Sequence, residues 1–422
     1  MMSRNSLRCG GCGAAFTARI ALGPTTLSKF YMLCPSCSLP IRGTSAGQDL
    51  PSHRLQISDA ALIANADVPD DAPVVTLDPD MPAKRDADTR EFFGSMTTLT
   101  ALHLTRDRIT EYLEARSTAG EAVLGLWPEV RKLWIYYRNE NWPMFNQVGS
   151  SLLDEWEPVT TAHERATVAY QSVAHMSVQV CGGRAPAASN FVSSVGRKHL
   201  AACGQVAYRT ALLTARRSGD LAELETDLFT VLDRFLGAYE VWQPGHLLRY
   251  VAPDREADLD TLILFRDEFP EARDLYQQAF EVICRVLWIA VAAQNTVKRG
   301  NPDDFGDAPP EGVSAKLHPA SLQKFRGLHN ARKLPYLAQV PAWRVFNDLL
   351  NSQTRNAIGH GSARHDLNSG LVVTDKKPEG RPYHRLVGDV FDMFEALLGA
   401  LQVVRFAVVA SSPDFPSNKR PI

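Results

Sequence analysis

A chain of 422 residues with 45% hydrophobic, 22% charged and 9% aromatic residues has ordinary globular composition, which excludes a wholly disordered, collagenous or coiled-coil protein. The length is too great for one simple core, so two or three domains are expected. Forty-five Lys and Arg against 47 Asp and Glu leave a net charge of −2, so a nucleic-acid partner would have to be served by a local basic surface.

The opening MMSRNSLRCGGCG lacks the apolar stretch of a secretory signal. The longest apolar run, Val286–Ala293, is too short to cross a bilayer, so no membrane partner is expected and the chain reads as cytoplasmic. Residues 1–45 are small and locally basic, with Phe16–Ile20 and Phe30–Leu33 predicted as short strands around a Gly23-Pro24 turn. Within residues 46–90, the span Asn65–Arg90 carries Asp67, Asp70, Asp71, Asp78, Asp80, Asp86 and Asp88 with Pro69, Pro73, Pro79 and Pro82. Such a stretch repels itself and buries little, so it reads as an acidic Pro-rich linker.

Helical periodicity begins near Arg90 and persists. Residues 91–220 form an expected helical middle domain, with helices around Thr160–Val180 and Lys198–Arg217 flanking a loop at Cys181–Ser189. A second helical block covers 221–410. In it, Leu221–Tyr239 has one apolar face, and Glu271–Lys298 is nearly apolar in its second half, as a central core helix would be. Leu322–Asn330 reads as a short helix and Pro341–Gly359 as an amphipathic one with Trp343, Phe346, Leu350 and Ala357 on one stripe. The pieces Leu371–Thr374 and Tyr383–Val387 read as β-like, a final helix covers Gly388–Val409, and 411–422 is a loose tail. The predicted fold class is mainly α, with a small N-terminal β element.

Two constellations carry chemistry. In the first, Cys9-Gly-Gly-Cys12 and Cys34-Pro-Ser-Cys37 each offer two thiolates from one tight turn, and Zn²⁺ takes four such ligands in a tetrahedron. This resembles a zinc ribbon, confined to the first 45 residues. With all four positions filled by protein, the resemblance implies a structural Zn²⁺ and not a catalytic one. Redox CxxC pairs and free cysteines are the competing explanations. His199 with Cys203, and His175 with Cys181, stand at loose spacings and are assigned no metal. Trp127, Trp134, Tyr136, Tyr137 and Trp142 recur at helical spacing, which core packing explains as readily as base stacking. No Walker loop, GxGxxG or serine elbow is present.

The second constellation is Arg355-Asn356-Ala357-Ile358-Gly359-His360-Gly361, closing the amphipathic helix. A histidine can shuttle protons near neutral pH, and an always-charged, forked guanidinium suits phosphate oxygens. Positions five apart lie about 140° apart on an ideal helix, so His360 must leave it, which Gly359 and Gly361 permit. A solvated Arg with a helix-terminal His is the plain structural alternative. Residues 312–347 contain Lys316, Lys324, Arg326, Arg332, Lys333 and Arg344 and no acid, either an RNA-guiding surface or a solvated helical face. The stretch Asp254–Glu271 is strongly acidic, without a functional account at this level.

The RNAIGHG motif in its helical setting resembles the HEPN family (the helical nucleotide-binding domains of higher eukaryotes and prokaryotes) over residues 221–409. Many members are metal-independent endoribonucleases of toxin–antitoxin and antiviral defence systems, including abortive infection. The resemblance implies Arg355 and His360 as the catalytic pair, Asn356 as a polar supporter, and RNA as substrate. It also implies a composite site across two domains. With one motif in the chain, that means a homodimer or larger even oligomer, alongside a regulatory partner or phage trigger. The alternative is a non-catalytic scaffold that holds nucleic acid or protein.

Overall fold

The computed structural model describes residues 2–21, 27–46, 54–84, 96–152, 156–182, 194, 201–338, 346, 348–350, 352–359, 362–375 and 377–415. Each of its two compact units is assembled from three stretches of chain. The first comprises Met1–Arg116, Ala238–Asp274 and Asn356–Phe391, and the second Ser117–Gly237, Leu275–Arg355 and Asp392–Ile422. These are not the consecutive segments expected from composition, because the chain returns twice to its first unit.

In the first unit, strand β1 (Met2–Cys9) pairs antiparallel with β2 (Ala15–Ala21), and β3 (Leu27–Leu33) with β4 (Pro40–Ala46). The expected linker does not behave as one where it is described. Arg54–Ile57 (β5) pairs with β4, Ala60–Leu62 (β6) with β1, and Val74–Leu77 (β7) runs parallel to β2. The sheets have the orders β6-β1-β2-β7 and β3-β4-β5. Leu7, Phe16, Ile20, Phe30, Met32, Ile41 and Leu77 make their shared apolar core. Ala83–Lys84 (β8) pairs with Leu262–Ile263 (β9).

The acidic charge that argued for a linker is answered at Asp80. Its carboxylate is sealed from solvent and accepts from Arg266 at 2.8 Å, Arg116 at 2.5 Å and Gln243 at 3.0 Å. The acidic stretch Asp254–Glu271 gains a structural account in the same way. Asp254 pairs with Arg106, Asp258 with His103, Glu256 and Asp260 with Arg385, Asp267 with Arg42, and Glu271 with Lys29. It is the counter-charge for cations from three other stretches of the unit.

The second hairpin is one element different from expectation. Leu371–Thr374 is a strand (β11), between Arg364–Asp366 (β10) and Lys377–Pro382 (β12). Tyr383–Val387, predicted β-like, instead opens the helix Tyr383–Ala410, because Pro382 immediately before it ends a strand and suits a helix entry.

The second unit is helical among its described residues. Trp127–Arg138, Trp142–Leu152, Ala162–Val180, Val206–Arg217 and Asp220–Gly237 are helices, the third opened by a full capping box of Thr161 and Glu164. Trp134, fully buried, stacks on Phe229 at 4.7 Å and meets Tyr170 edge-on. The aromatic stripe is therefore core there. Phe269–Arg299 and Tyr383–Ala410 are longer than the apolar run within them and have the length and composition to cross a bilayer. However, 83% and 94% of their most apolar windows are buried in the protein, as in core helices. Mainly α with a small N-terminal β region is the architecture observed.

Candidate functional site

The four N-terminal cysteines sit in two knuckles built alike. Cys9 N–H donates to Ala14 O at 3.0 Å and Gly13 N–H to Cys9 O at 3.0 Å. Cys34 N–H donates to Leu39 O and Ser38 N–H to Cys34 O, both at 2.9 Å. Each knuckle closes on a left-handed residue, Gly13 at φ 75° and Ser38 at φ 60°. Glycine takes that conformation without cost and serine does not.

This repeated turn brings Cys9 Sγ to 3.8 Å from Cys37 Sγ and Cys12 Sγ to 3.7 Å from Cys34 Sγ, with all four sulfurs within 4.8 Å of one another. A tetrahedral ion with metal–sulfur distances near 2.3 Å sets its sulfurs about 3.8 Å apart, so the quartet has the dimensions of a metal site. Gly11 N–H points at Cys9 Sγ at 3.4 Å. Although burial opposes ionisation of Cys9, the backbone N–H groups of Cys12 and Gly11 bring its pKa down to about 7. Gly10 cannot be replaced freely, since a Cβ there would lie 2.9 Å from Asp59 O. Among the described residues, no other cluster of three or more His, Cys, Asp or Glu side chains has metal-site dimensions. Cys181 and Cys203 are buried thiols.

The motif helix is described as Ser352–Gly359. Of the predicted stripe, Phe346 and Leu350 are buried and Ala357 is half-buried; Ile358, not assigned to it, is buried too, while Trp343, Arg344, His360 and Gly361 lie outside the described residues. Asn356 is exposed. Arg355 engages Glu281 of the long helix Phe269–Arg299 through Nε, at 2.9 Å, and through Nη2. Glu281 also accepts from Asn330 Nδ2, and Asn330 Oδ1 accepts from Lys333 Nζ at 3.2 Å. A relay of four side chains thus runs Arg355–Glu281–Asn330–Lys333 within the second unit. Sequence reasoning missed Glu281 and Asn330. One signal existed: Glu281 is the only acid between Asp274 and Asp303.

The six cations proposed for RNA do not form one uniform surface. Lys316, Lys324 and Arg332 are exposed. Arg326 is paired with Asp220 at 2.9 Å, and Lys333 is buried. No family model, curated protein or solved structure matches the chain. Its function therefore rests on its own residues.

Proposed function

We propose that the chain is a metal-independent endoribonuclease of HEPN type, acting in prokaryotic antiviral defence or toxin–antitoxin biology as a homodimer through a HEPN-like bundle. The observation that supports it is Arg355. It stands on the motif helix, half-buried, and Glu281 grips its guanidinium through two nitrogens. A fork oriented in this way suits the non-bridging oxygens of a phosphodiester.

In this reading His360 takes the proton from an RNA 2′-OH as that oxygen attacks the adjacent phosphorus. Arg355 stabilises the charge gathering on the phosphorane, and the proton returns to the departing 5′ oxygen. The products are a 2′,3′-cyclic phosphate and a 5′-OH. Asn356 supports the pair, and Lys316, Lys324 and Arg332 guide the backbone. Cys9, Cys12, Cys34 and Cys37 hold structural Zn²⁺, which knits the two knuckles and has no open position for chemistry.

The test is incubation of the purified full chain with mixed RNA, with and without EDTA. Cleavage should survive EDTA and spare DNA, which lacks the attacking hydroxyl. His360→Ala and Arg355→Ala should each lose on the order of 10²-fold. Arg355→Lys should fail as well, lacking the planar fork. Full cleavage by a folded His360→Ala protein would falsify the proposal, and a cutting monomer in light scattering would remove its dimer. The Arg355–Glu281 pair also favours a second reading, a non-catalytic nucleic-acid or protein scaffold, because it gives Arg355 a structural partner.

A further inference from the structure

Lys333 closes the short helix Asn330–Lys333 in the second unit and is only 5% exposed. Its ammonium donates to the Cys284 carbonyl at 3.4 Å and to Asn330 Oδ1 at 3.2 Å, both neutral groups. An ammonium has three donors. Among the described residues no carboxylate pairs with it. Burying a cation without a direct counter-charge is costly, and a group so placed on the wall of a cavity is a candidate for ligand binding.

Lys333 does line a cavity, of about 180 Å³, together with Arg285, Arg326, Trp288 and Cys284. The two guanidinium groups are fixed on its wall. Arg326 lies over the Trp288 ring, 5.3 Å from its centroid, and holds Asp220 at 2.9 Å; Arg285 holds Glu223 at 2.7 Å and also reaches Asp227. Asp220 and Glu223 line the same cavity, and each already accepts from one of these guanidinium groups. The wall charges are thus paired directly, whereas Lys333 reaches its nearest carboxylate, Glu281, only through Asn330. Drug-sized ligands occupy roughly 300–1,000 Å³. A cavity of about 180 Å³ suits a single tetrahedral oxyanion better than a whole nucleotide.

We propose that this cavity is a phosphate-binding site, with Lys333 Nζ meeting the phosphate oxygens and Arg326 and Arg285 flanking them. A compact ammonium with three donors is chemistry that recognises phosphate, and the two carboxylate-held guanidinium groups fix the wall around it. The site stands whether or not the chain cuts RNA. Through Asn330 and Glu281 it is linked to Arg355, so filling it bears on the guanidinium assigned to cleavage. The phosphate can arrive free or on the end of an RNA, and the two sources are separable.

Isothermal titration of the full chain with inorganic phosphate is the primary experiment. Wild-type protein should bind. Lys333→Met should bind at least about tenfold more weakly, the scale of a lost charge-assisted contact. Arg326→Gln, whose native side chain is 46% exposed, should also bind more weakly and keeps the test sound if Lys333→Met fails to fold. Lys298→Gln, exposed and outside the cavity, should bind as wild type does. Competition by a 5′-phosphorylated RNA trinucleotide, but not by its 5′-hydroxyl counterpart, would assign the phosphate to RNA, and no competition by either would assign it to the free ion. The titration reads phosphate binding with no RNA present, so loss of the cleavage proposal leaves this one intact. No phosphate binding by wild type, or unchanged binding in both Lys333→Met and Arg326→Gln, overturns it.

Discussion

Arg266 in the first unit and Lys333 in the second are both buried, and their surroundings differ in kind. Arg266 is met by charge: Asp80 at 2.8 Å, Glu268 at 2.5 Å and the Glu240 carbonyl. Those carboxylates keep it ionised, and its pKa rises despite the opposing effect of burial, its largest single influence. Lys333 is met by an amide and a carbonyl, and burial pushes its pKa below the usual lysine value. A compensated buried cation is a fastening, since it ties together stretches of chain that would otherwise repel or drift. An uncompensated one holds no such tie and is available to a ligand. Burial alone does not separate structure from function; what the partners carry does.

The sharpest way to break this contrast is Arg266→Met. It leaves Glu268 in the core without its cation and takes one of two cations from Asp80, which keeps Arg116, and loss of one partner from a buried pair costs about 3–5 kcal/mol. Urea unfolding measures it, and a variant within about 1 kcal/mol of wild type would mean that the fastening holds little.

Next in size is a pH effect in the same unit, on buried groups that stay neutral. Burial lowers His246 and His384 to about 3 and His365 to about 4. Both ring nitrogens of His365 and of His384 have no partner among the described residues. The unfolded chain takes up protons near the ordinary value of 6.5, which these folded imidazoles resist. Stability is therefore complete above pH 6.5 and declines as pH falls from there toward 4. Melting temperature against pH checks this, and His384→Phe should flatten the slope; an unchanged slope would show that His384 carries no share of it.

The smallest expected effect is Lys333→Met without added phosphate. Replacing an uncompensated ammonium by an apolar side chain of like length should leave stability unchanged or raise it by about 1 kcal/mol. Because the folded-state pKa is lowered, wild-type stability should climb as pH rises toward 10.5, a climb that the Met variant lacks. A loss approaching that of Arg266→Met would make Lys333 another fastening and erase the contrast.

The same distinction explains how much was legible in the sequence. The cysteine knuckles could be read because both partners in each lie within a span of four residues and the turn is local. The helical character of the second unit was likewise visible in its periodicity. The 46–90 stretch was misjudged because Asp80 finds its compensation at Arg116 and Arg266, 36 and 186 positions onward. Glu281 was invisible as the partner of Arg355, 74 residues away, for the same reason. Tyr383–Val387 has strand-forming residues, and only Pro382 before it signalled a helix entry. The motif arginine could be named from sequence, whereas what holds it could not.

Strand β3 carries a consequence for how the chain is made. Its free edge is completed by residues 265–267: Tyr31 N–H donates to Phe265 O, Asp267 N–H to Lys29 O, and Phe30 bridges Arg266. Phe265 follows Tyr31 by 234 positions. At about 5–20 residues per second, synthesis reaches it roughly 10 to 50 s after the cysteine knuckles have been made. For that interval a nascent N-terminus with both knuckles complete presents one open edge of β3 beside them, exposed to other chains on the same ribosome cluster.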